Sequence, residues 1–298
     1  MKRILIAIIA LAALTACCNK AAGVKEPLKK DIGVQLYSVR EILGSGEAVK
    51  PVLKQLADLG YTAVEPAGYS DGKIYGLEPA TFKAFLDEVG MECISTHVNK
   101  YISADELKSG DFTESLKWWD ECIAAHKVAG VKYIVMPGMA RNLNAKDLKT
   151  WCDYFNAVGK KCSEAGIKFG YHNHSQEFDK VTDLDKRVYD FMLENTDPQY
   201  VFFEMDVYWA CMGRAFPVEY FQKYPGRFKL LHIKDHFDVG ASGMVGFDAI
   251  FNNAKVAGVE AIIVEVEGHP EGKTIMDMMK SSVDYLLSAP FVPEHYGE

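Results

Sequence analysis

Five times along this chain a glycine followed by an apolar residue closes one pattern and opens another: Gly60-Tyr61, Gly90-Met91, Gly130-Val131, Gly166-Ile167 and Gly258-Val259. Each pair stands behind a stretch with helical spacing and ahead of a short β-branched or apolar run. Glycine just past a helix end adopts the left-handed conformation, and the apolar residue after it packs back on the helix. A joint repeated in this way predicts alternating helices and strands, hence parallel strands with crossover helices. The strand candidates are 32–37, 62–65, 92–97, 133–136, 168–174, 201–206, 228–234 and 261–265. Helical spacing falls near 47–59, 79–89, 113–129, 145–165, 184–195, 217–223, 247–257 and 273–288. Eight such units favour a single-domain α/β fold, the closed (β/α)8 TIM barrel, over an open doubly wound sheet. No G-x-G-x-x-G follows the first strand, which weakens a dinucleotide-binding reading.

The first thirty residues read differently. Met1-Lys2-Arg3 is a short basic start, and Ile4 to Leu14 is an apolar run too short to span a bilayer, which takes roughly 20 residues, but suited to a signal-peptide core. It ends in Leu14-Thr15-Ala16-Cys17, which resembles the lipobox of bacterial lipoproteins. That resemblance implies removal of residues 1–16, lipidation of Cys17, a tether over 17–30, a barrel over 31–298 and a periplasm-facing location with membrane contact only through the lipid. Loss of Lys2 and Arg3 leaves 31 basic residues against 41 acidic ones, a net charge of −10. An acidic chain argues against nucleic acid as a partner, because that recognition rests on Lys and Arg neutralising phosphates. The remaining cysteines form no CxxC pair and no cluster with histidine at zinc spacing, so most read as small core hydrophobes. His126, His269 and His295 lie off the strand ends and read as surface or loop residues.

In barrels the chemistry sits at the C-terminal ends of the strands. Here those ends hold Gln35 and Tyr37, then Glu65, His97, the run Tyr171-His172-Asn173-His174 with Glu177 beyond it, Glu204 and Asp206, His232, Lys234 and Asp235, and finally Glu265 and Glu267. Carboxylates and imidazoles converging on one mouth are costly if left empty, and a bound cation resolves that cost. Glu204 and Asp206 share a strand face by the two-residue period, and Asp206, at the very end, is the preferred ligand.

At these residues the chain resembles the sugar phosphate isomerase/epimerase superfamily, the xylose isomerase-like barrels, over nearly all of its mature length. Tyr171-His172-Asn173-His174-Ser175-Gln176-Glu177-Phe178 resembles a strand-five YHNHxxEF motif, Leu231-His232-Ile233-Lys234-Asp235 an LHxKD of strand seven, and Asp206-Val207-Tyr208-Trp209 a DxxW of strand six. The resemblance implies one divalent ion (Mn, Co, Fe, Zn or Mg) held by Asp206, His232 and Glu265. Its strand-five ligand is either Glu177, which is preferred, or an imidazole, His172. Gly246 stands where the family commonly has an acidic residue opening the next helix, a change that costs only a few tenths of a kcal/mol at a cap.

Such a site predicts proton abstraction next to a carbonyl of a small-molecule sugar. Glu265 and His172 are candidates for removing the proton, with Lys234 and His174 holding or protonating oxygens. Gln35, Tyr37, Glu65, His97 and Trp209 are candidates for touching the substrate. The outcome is isomerisation, epimerisation or elimination, and the histidine-rich fifth strand tilts the reading toward a lyase or hydratase on an unphosphorylated keto-sugar or keto-glycoside. A sugar-binding lipoprotein without catalysis is the alternative, and a homo-oligomer is compatible with either.

Overall fold

The computed structural model of the protein describes residues 29–297, so the predicted signal segment and Cys17 lie outside the described residues. The barrel strands are β1 (Gly33–Gln35), β2 (Ala63–Glu65), β3 in two pieces (Glu92–Cys93 and Ser95–His97), β4 (Tyr133–Met136), β5 (Lys168–His172), β6 (Val201–Asp206), β7 (Phe228–Lys234) and β8 (Ala261–Glu265). All their pairings are parallel. The break in β3 is where the barrel closes. Its first piece pairs with β2 and its second with β4. At the break, Ile94 donates its N–H to Val64 O and accepts from Lys132 and Tyr133, so one residue serves both neighbours.

Helices Val49–Leu59, Pro79–Val89, Thr113–Val128, Ala145–Glu164, Val188–Asn195, Pro217–Lys223, Phe247–Asn252 with Ala254–Ala257, and Ile275–Ser288 pack around the strands, so the fold is the (β/α)8 barrel. All five joint glycines have positive φ, from 74° to 108°, the backbone state that side-chain-bearing residues resist.

The pleat explains how this fold builds a site. Ala63, Ile94, Tyr133, Val135, Phe202, Leu230, Ala261 and Ile263 form an apolar cluster of their own, apart from the larger layer between strands and helices. Two residues further along the same strands stand Glu65, Glu204, His232 and Glu265, all buried. Side chains two apart on a strand share a face, so the barrel lumen changes from apolar to ionisable within one repeat. Gly170 makes room in the lower layer: a Cβ there would lie 2.6 Å from the Phe202 ring.

Several expectations need correction. β1 stops at Gln35 rather than Tyr37, because the Gln35 side chain accepts the Tyr37 N–H and turns the chain into the 3-10 helix Leu36–Val39. β5 stops at His172, because the Asn173 amide takes over the ladder, accepting from Asp206 N and donating to Asp206 O, both at 3.2 Å. The capped helix Ala104–Ser109 and the short helix Val207–Met212 were not anticipated. Lys30, assigned to the tether, belongs to the barrel: it is buried and donates to Leu286 O and Ala289 O at the end of the last helix. Carbonyls there lack intrahelical partners, so a cation is well placed. His126 is no surface residue. It is fully buried in Thr113–Val128, and its Nδ1–H donates to Cys122 O at 2.8 Å. Cys93, Cys122, Cys152 and Cys162 are free and buried, and Cys211 is free and half-buried.

Candidate metal centre

The ionisable residues at the mouth are arranged in two levels joined by His232. In the lower level, His232 Nε2 is 2.7 Å from Glu65 Oε1 and 3.3 Å from Glu204 Oε2. His97 Nε2 is 2.7 Å from Glu204 Oε2 and 3.0 Å from Glu65 Oε1. Gln35 Nε2 donates to Glu65 Oε1 at 2.7 Å. A carboxylate only accepts, so both rings donate downward from Nε2.

In the upper level, His232 Nδ1 is 3.1 Å from His172 Nε2 and 3.4 Å from Glu265 Oε2, and His172 Nε2 is 3.7 Å from Asp206 Oδ2. Asp206 Oδ1 caps the next helix by accepting the Trp209 N–H at 2.7 Å, while Asp206 Oδ2 is buried with no hydrogen-bond partner among the described residues.

The two levels differ in how far their donor atoms are already taken by hydrogen bonds. Donor atoms bound about 2.0–2.2 Å from one ion lie roughly 2.8–3.6 Å apart when adjacent in tetrahedral or octahedral arrangements. The upper separations cluster around that range, with the His172–Asp206 pair just beyond it. In the lower level the 3.0 and 3.3 Å contacts fall in the same range, but both carboxylate oxygens there are already engaged in ordinary 2.7 Å hydrogen bonds. Two sets of four side chains bring donor atoms within 4.8 Å of one another, His172, Asp206, His232 and Glu265 above and His97, His172, Glu204 and His232 below; the upper set, with two carboxylates against one, better balances a divalent charge. A mixed imidazole and carboxylate set suits Zn, Mn, Co or Fe. The orphaned Asp206 oxygen is the observation that asks for one.

Without a cation, several of the buried groups hold protons in its place. Burial pushes Asp206 up to about 8 against the pull of Lys234. Burial and the neighbouring imidazoles hold His172 well below the usual histidine range, which leaves it neutral as a ligand must be. Burial opposes ionisation of Glu265, but the His232 hydrogen bond and Lys234 hold it at about 2. Burial and the Glu65 charge push Glu204 up to about 7. Burial would lower His232, yet Glu204 and Glu65 keep it well above its ordinary value.

Above this floor lies a cavity of about 410 Å³, lined among others by Tyr37, Tyr69, His97, His174, Glu265 and Glu267, within the range of small-molecule sites. Lys234 is buried 2.9 Å from Glu267 and 3.6 Å from Glu265, under the rings of Tyr208 and Trp209. His174 Nδ1 and Trp209 Nε1 are buried without hydrogen-bond partners among the described residues, with the rings 5.9 Å apart.

The structure thus brings together most of the predicted site residues but changes three roles. Glu177 is not in the metal cluster. It is buried in its own loop, where Oε1 accepts from Tyr171 OH at 2.7 Å and Oε2 from His174 N at 2.8 Å, so its carboxylate shapes the turn and His172 is the fifth-strand residue in the candidate cluster. Gln35 and Glu65 do not face substrate, because both are fully buried beneath the ion-sized gap. Glu204 and Asn173 have roles that the sequence reading did not assign. The two-residue period had already put Glu204 on the inner face, whereas nothing local signals that the Asn173 side chain replaces backbone in a ladder.

With this geometry, the comparisons with known proteins are specific. The family model for the xylose isomerase-like TIM barrel matches residues 53–288. A solved sugar phosphate isomerase/epimerase from Parabacteroides distasonis ATCC 8503 is 37% identical with a TM-score of 0.81, covering 89% of this chain and 100% of that one. The inosose dehydratase of Geobacillus kaustophilus (strain HTA426) is 27% identical over 209 residues, 65% of this chain, and the match spans 64% of that relative's length. The IolI protein solved with a bound zinc atom shares the fold at 12% identity and a TM-score of 0.64, covering 90% of this chain and 100% of that one. This chain belongs to the xylose isomerase-like TIM barrel family.

Proposed function

We propose that this protein is a divalent-metal-dependent enzyme that removes a proton next to a carbonyl of an unphosphorylated sugar, with elimination of a β-hydroxyl as the favoured outcome. The observation that carries the reading is the convergence of His172 Nε2, Asp206 Oδ2, His232 Nδ1 and Glu265 Oε2 on one gap at the floor of the cavity. An ion held there supplies electrophilic stabilisation to the carbonyl oxygen as it gains charge.

The chain's own residues do the proton work. Glu265, ionised and lining the cavity, takes the α-proton. The C–H electron pair becomes the new double bond, and the β C–O bond breaks. His174, which lines the cavity and is kept neutral by burial, is placed to hydrogen-bond the departing oxygen, and the proton taken up by Glu265 passes to that oxygen, so water leaves and the base is restored. Lys234 pairs with Glu265 at 3.6 Å and with Glu267 at 2.9 Å and holds both carboxylates at the cavity wall. Trp209 packs its ring over the Lys234 ammonium and beside His174, and so helps to hold both at the site. Carboxylates on the cavity wall would repel a phosphate, which favours an unphosphorylated substrate. The likeness to inosose dehydratase supports elimination over epimerisation. The lipobox-like Leu14–Cys17 supports, on sequence alone, a lipid-anchored protein facing the periplasm. Among the described residues no helix is long and apolar enough to cross a membrane.

The test is a set of keto-sugars incubated in heavy water with the zinc- or manganese-loaded protein, followed by NMR. Exchange of the α-proton or appearance of an unsaturated product, both lost with Glu265→Gln, is the expected result. Metal-loaded protein that binds these sugars but neither exchanges nor eliminates would leave a sugar-binding barrel as the better account.

A further inference from the structure

Among the lower-level residues, Glu65 has an arrangement that the proposed chemistry does not itself use. Its side chain is fully buried and lies beneath His97 and His232, out of reach of the cavity. Its Oε1 collects three contacts: His232 Nε2 at 2.7 Å, Gln35 Nε2 at 2.7 Å and His97 Nε2 at 3.0 Å. The Gln35 amide has its orientation fixed, because its own Oε1 accepts the Tyr37 N–H at 2.9 Å and so its Nε2 must face Glu65. Tyr37 lines the cavity. A continuous run of hydrogen bonds therefore leads from the rim through Gln35 and Glu65 to the imidazole whose other nitrogen faces Asp206's neighbours.

We propose that Glu65, aimed by Gln35, is a positioning residue for the metal: by accepting the Nε2–H of His232 it turns the Nδ1 lone pair of that ring toward His172, Asp206 and Glu265. The inference rests on the metal reading above and assigns a role to residues that reading leaves idle. The physical reason is general. A histidine ligand binds through one nitrogen only if the other carries the proton, and a carboxylate on that proton both fixes the ring and makes its free nitrogen a better donor. Glu204 Oε2, at 3.3 Å from the same nitrogen, is the poorer acceptor because it is already 2.7 Å from His97.

Zinc affinity, measured by competition with a chromophoric chelator, tests this on wild type, Glu65→Gln, Gln35→Leu and Glu260→Gln. Glu260 is the control: it is an ion-paired carboxylate at the opposite end of the barrel, bonded to Tyr133, Lys168 and Lys229. Glu65→Gln, which keeps the size and an oxygen acceptor but not the charge, should weaken zinc by about 10- to 100-fold. Gln35→Leu should weaken it less, and Glu260→Gln should lower the melting temperature without changing affinity. In the zinc-loaded wild type, the His232 ring proton should appear on Nε2 by NMR and exchange slowly with solvent, and Glu65→Gln should make it exchange faster. Equal zinc affinity in wild type and Glu65→Gln overturns this role while leaving the metal reading intact. A Glu260→Gln protein that loses zinc to the same degree also overturns it, because the effect is then general destabilisation. Wild-type protein that takes up no zinc overturns the metal reading and this role together.

Discussion

The two ends of this barrel solve the same problem in opposite ways. At the N-terminal end Glu260 is hydrogen-bonded by Tyr133 OH at 2.5 Å, ion-paired with Lys168 through the same oxygen and with Lys229 at 3.2 Å through the other. Burial works against ionisation, but these partners hold Glu260 below the usual carboxylate range. At the C-terminal end Asp206 is fully buried, pushed up to about 8, and has an oxygen with no partner among the described residues. One carboxylate is balanced by the protein itself, while the other, on the proposed metal reading, would be balanced by a cation. Uncompensated buried charge is expensive, so Asp206 keeps its proton to higher pH, and the carboxylate left without a fixed partner marks that end as the candidate site.

The sharpest way to break the comparison is to remove ligands. Asp206→Ala or His232→Ala should abolish metal uptake and lower turnover by about a thousandfold, the scale of losing an electrostatic stabiliser of a developing oxyanion. Elemental analysis and product assays check this, and full activity in either variant would contradict it.

The two ends should also respond to pH with opposite sign. His97 is held up to about 9 and His232 well above its ordinary value by their carboxylates, overriding burial, while burial pushes Asp206 up to about 8. Between 6.5 and about 9 the folded, metal-free protein therefore binds more protons than the unfolded chain, and its stability falls as pH rises. Glu260 has a lowered pKa, so its contribution is present above the ordinary value of 4.5 and is lost as pH falls. Melting of chelated protein should thus decline by several degrees from pH 7 to 9, and metal loading should flatten that decline. A chelated protein with a flat profile there would refute the account of the mouth.

Smaller effects probe the scaffold between the ends. Gly170→Ala drives a Cβ against the Phe202 ring and should cost about 1–3 kcal/mol by overpacking, read by denaturant unfolding. Glu260→Gln should cost about 1–2 kcal/mol and leave activity unchanged.

Much of this was legible in the sequence because the signals were local. The glycine joints mark helix ends through a backbone state few other residues tolerate, and the period of two along each strand puts Glu204 with Asp206 and His232 with Lys234 on one face. Depth was not legible. Whether an inward residue lies above or beneath the ion depends on how neighbouring strands are staggered, such as Gln35 beside Glu65 and Asp206 beside His232. That stagger comes from barrel closure, not from any one segment. Gln35 and Glu65 therefore read as substrate contacts until the fold placed them below. Glu177 failed as a ligand for a related reason: its reach depends on the turn Gln176–Phe178 and on Tyr171, whose hydroxyl returns from the outer face of β5 to hold it. His126 was misplaced because its helix position says nothing of the neighbour that covers it.

The most direct test of the central claim is the metal content of the purified protein after loading with zinc or manganese, wild type beside Asp206→Ala. The account predicts close to one ion per wild-type chain and none retained by a folded Asp206→Ala. A folded wild type that holds no divalent ion under any loading, or an Asp206→Ala protein that holds it as tightly, would contradict it.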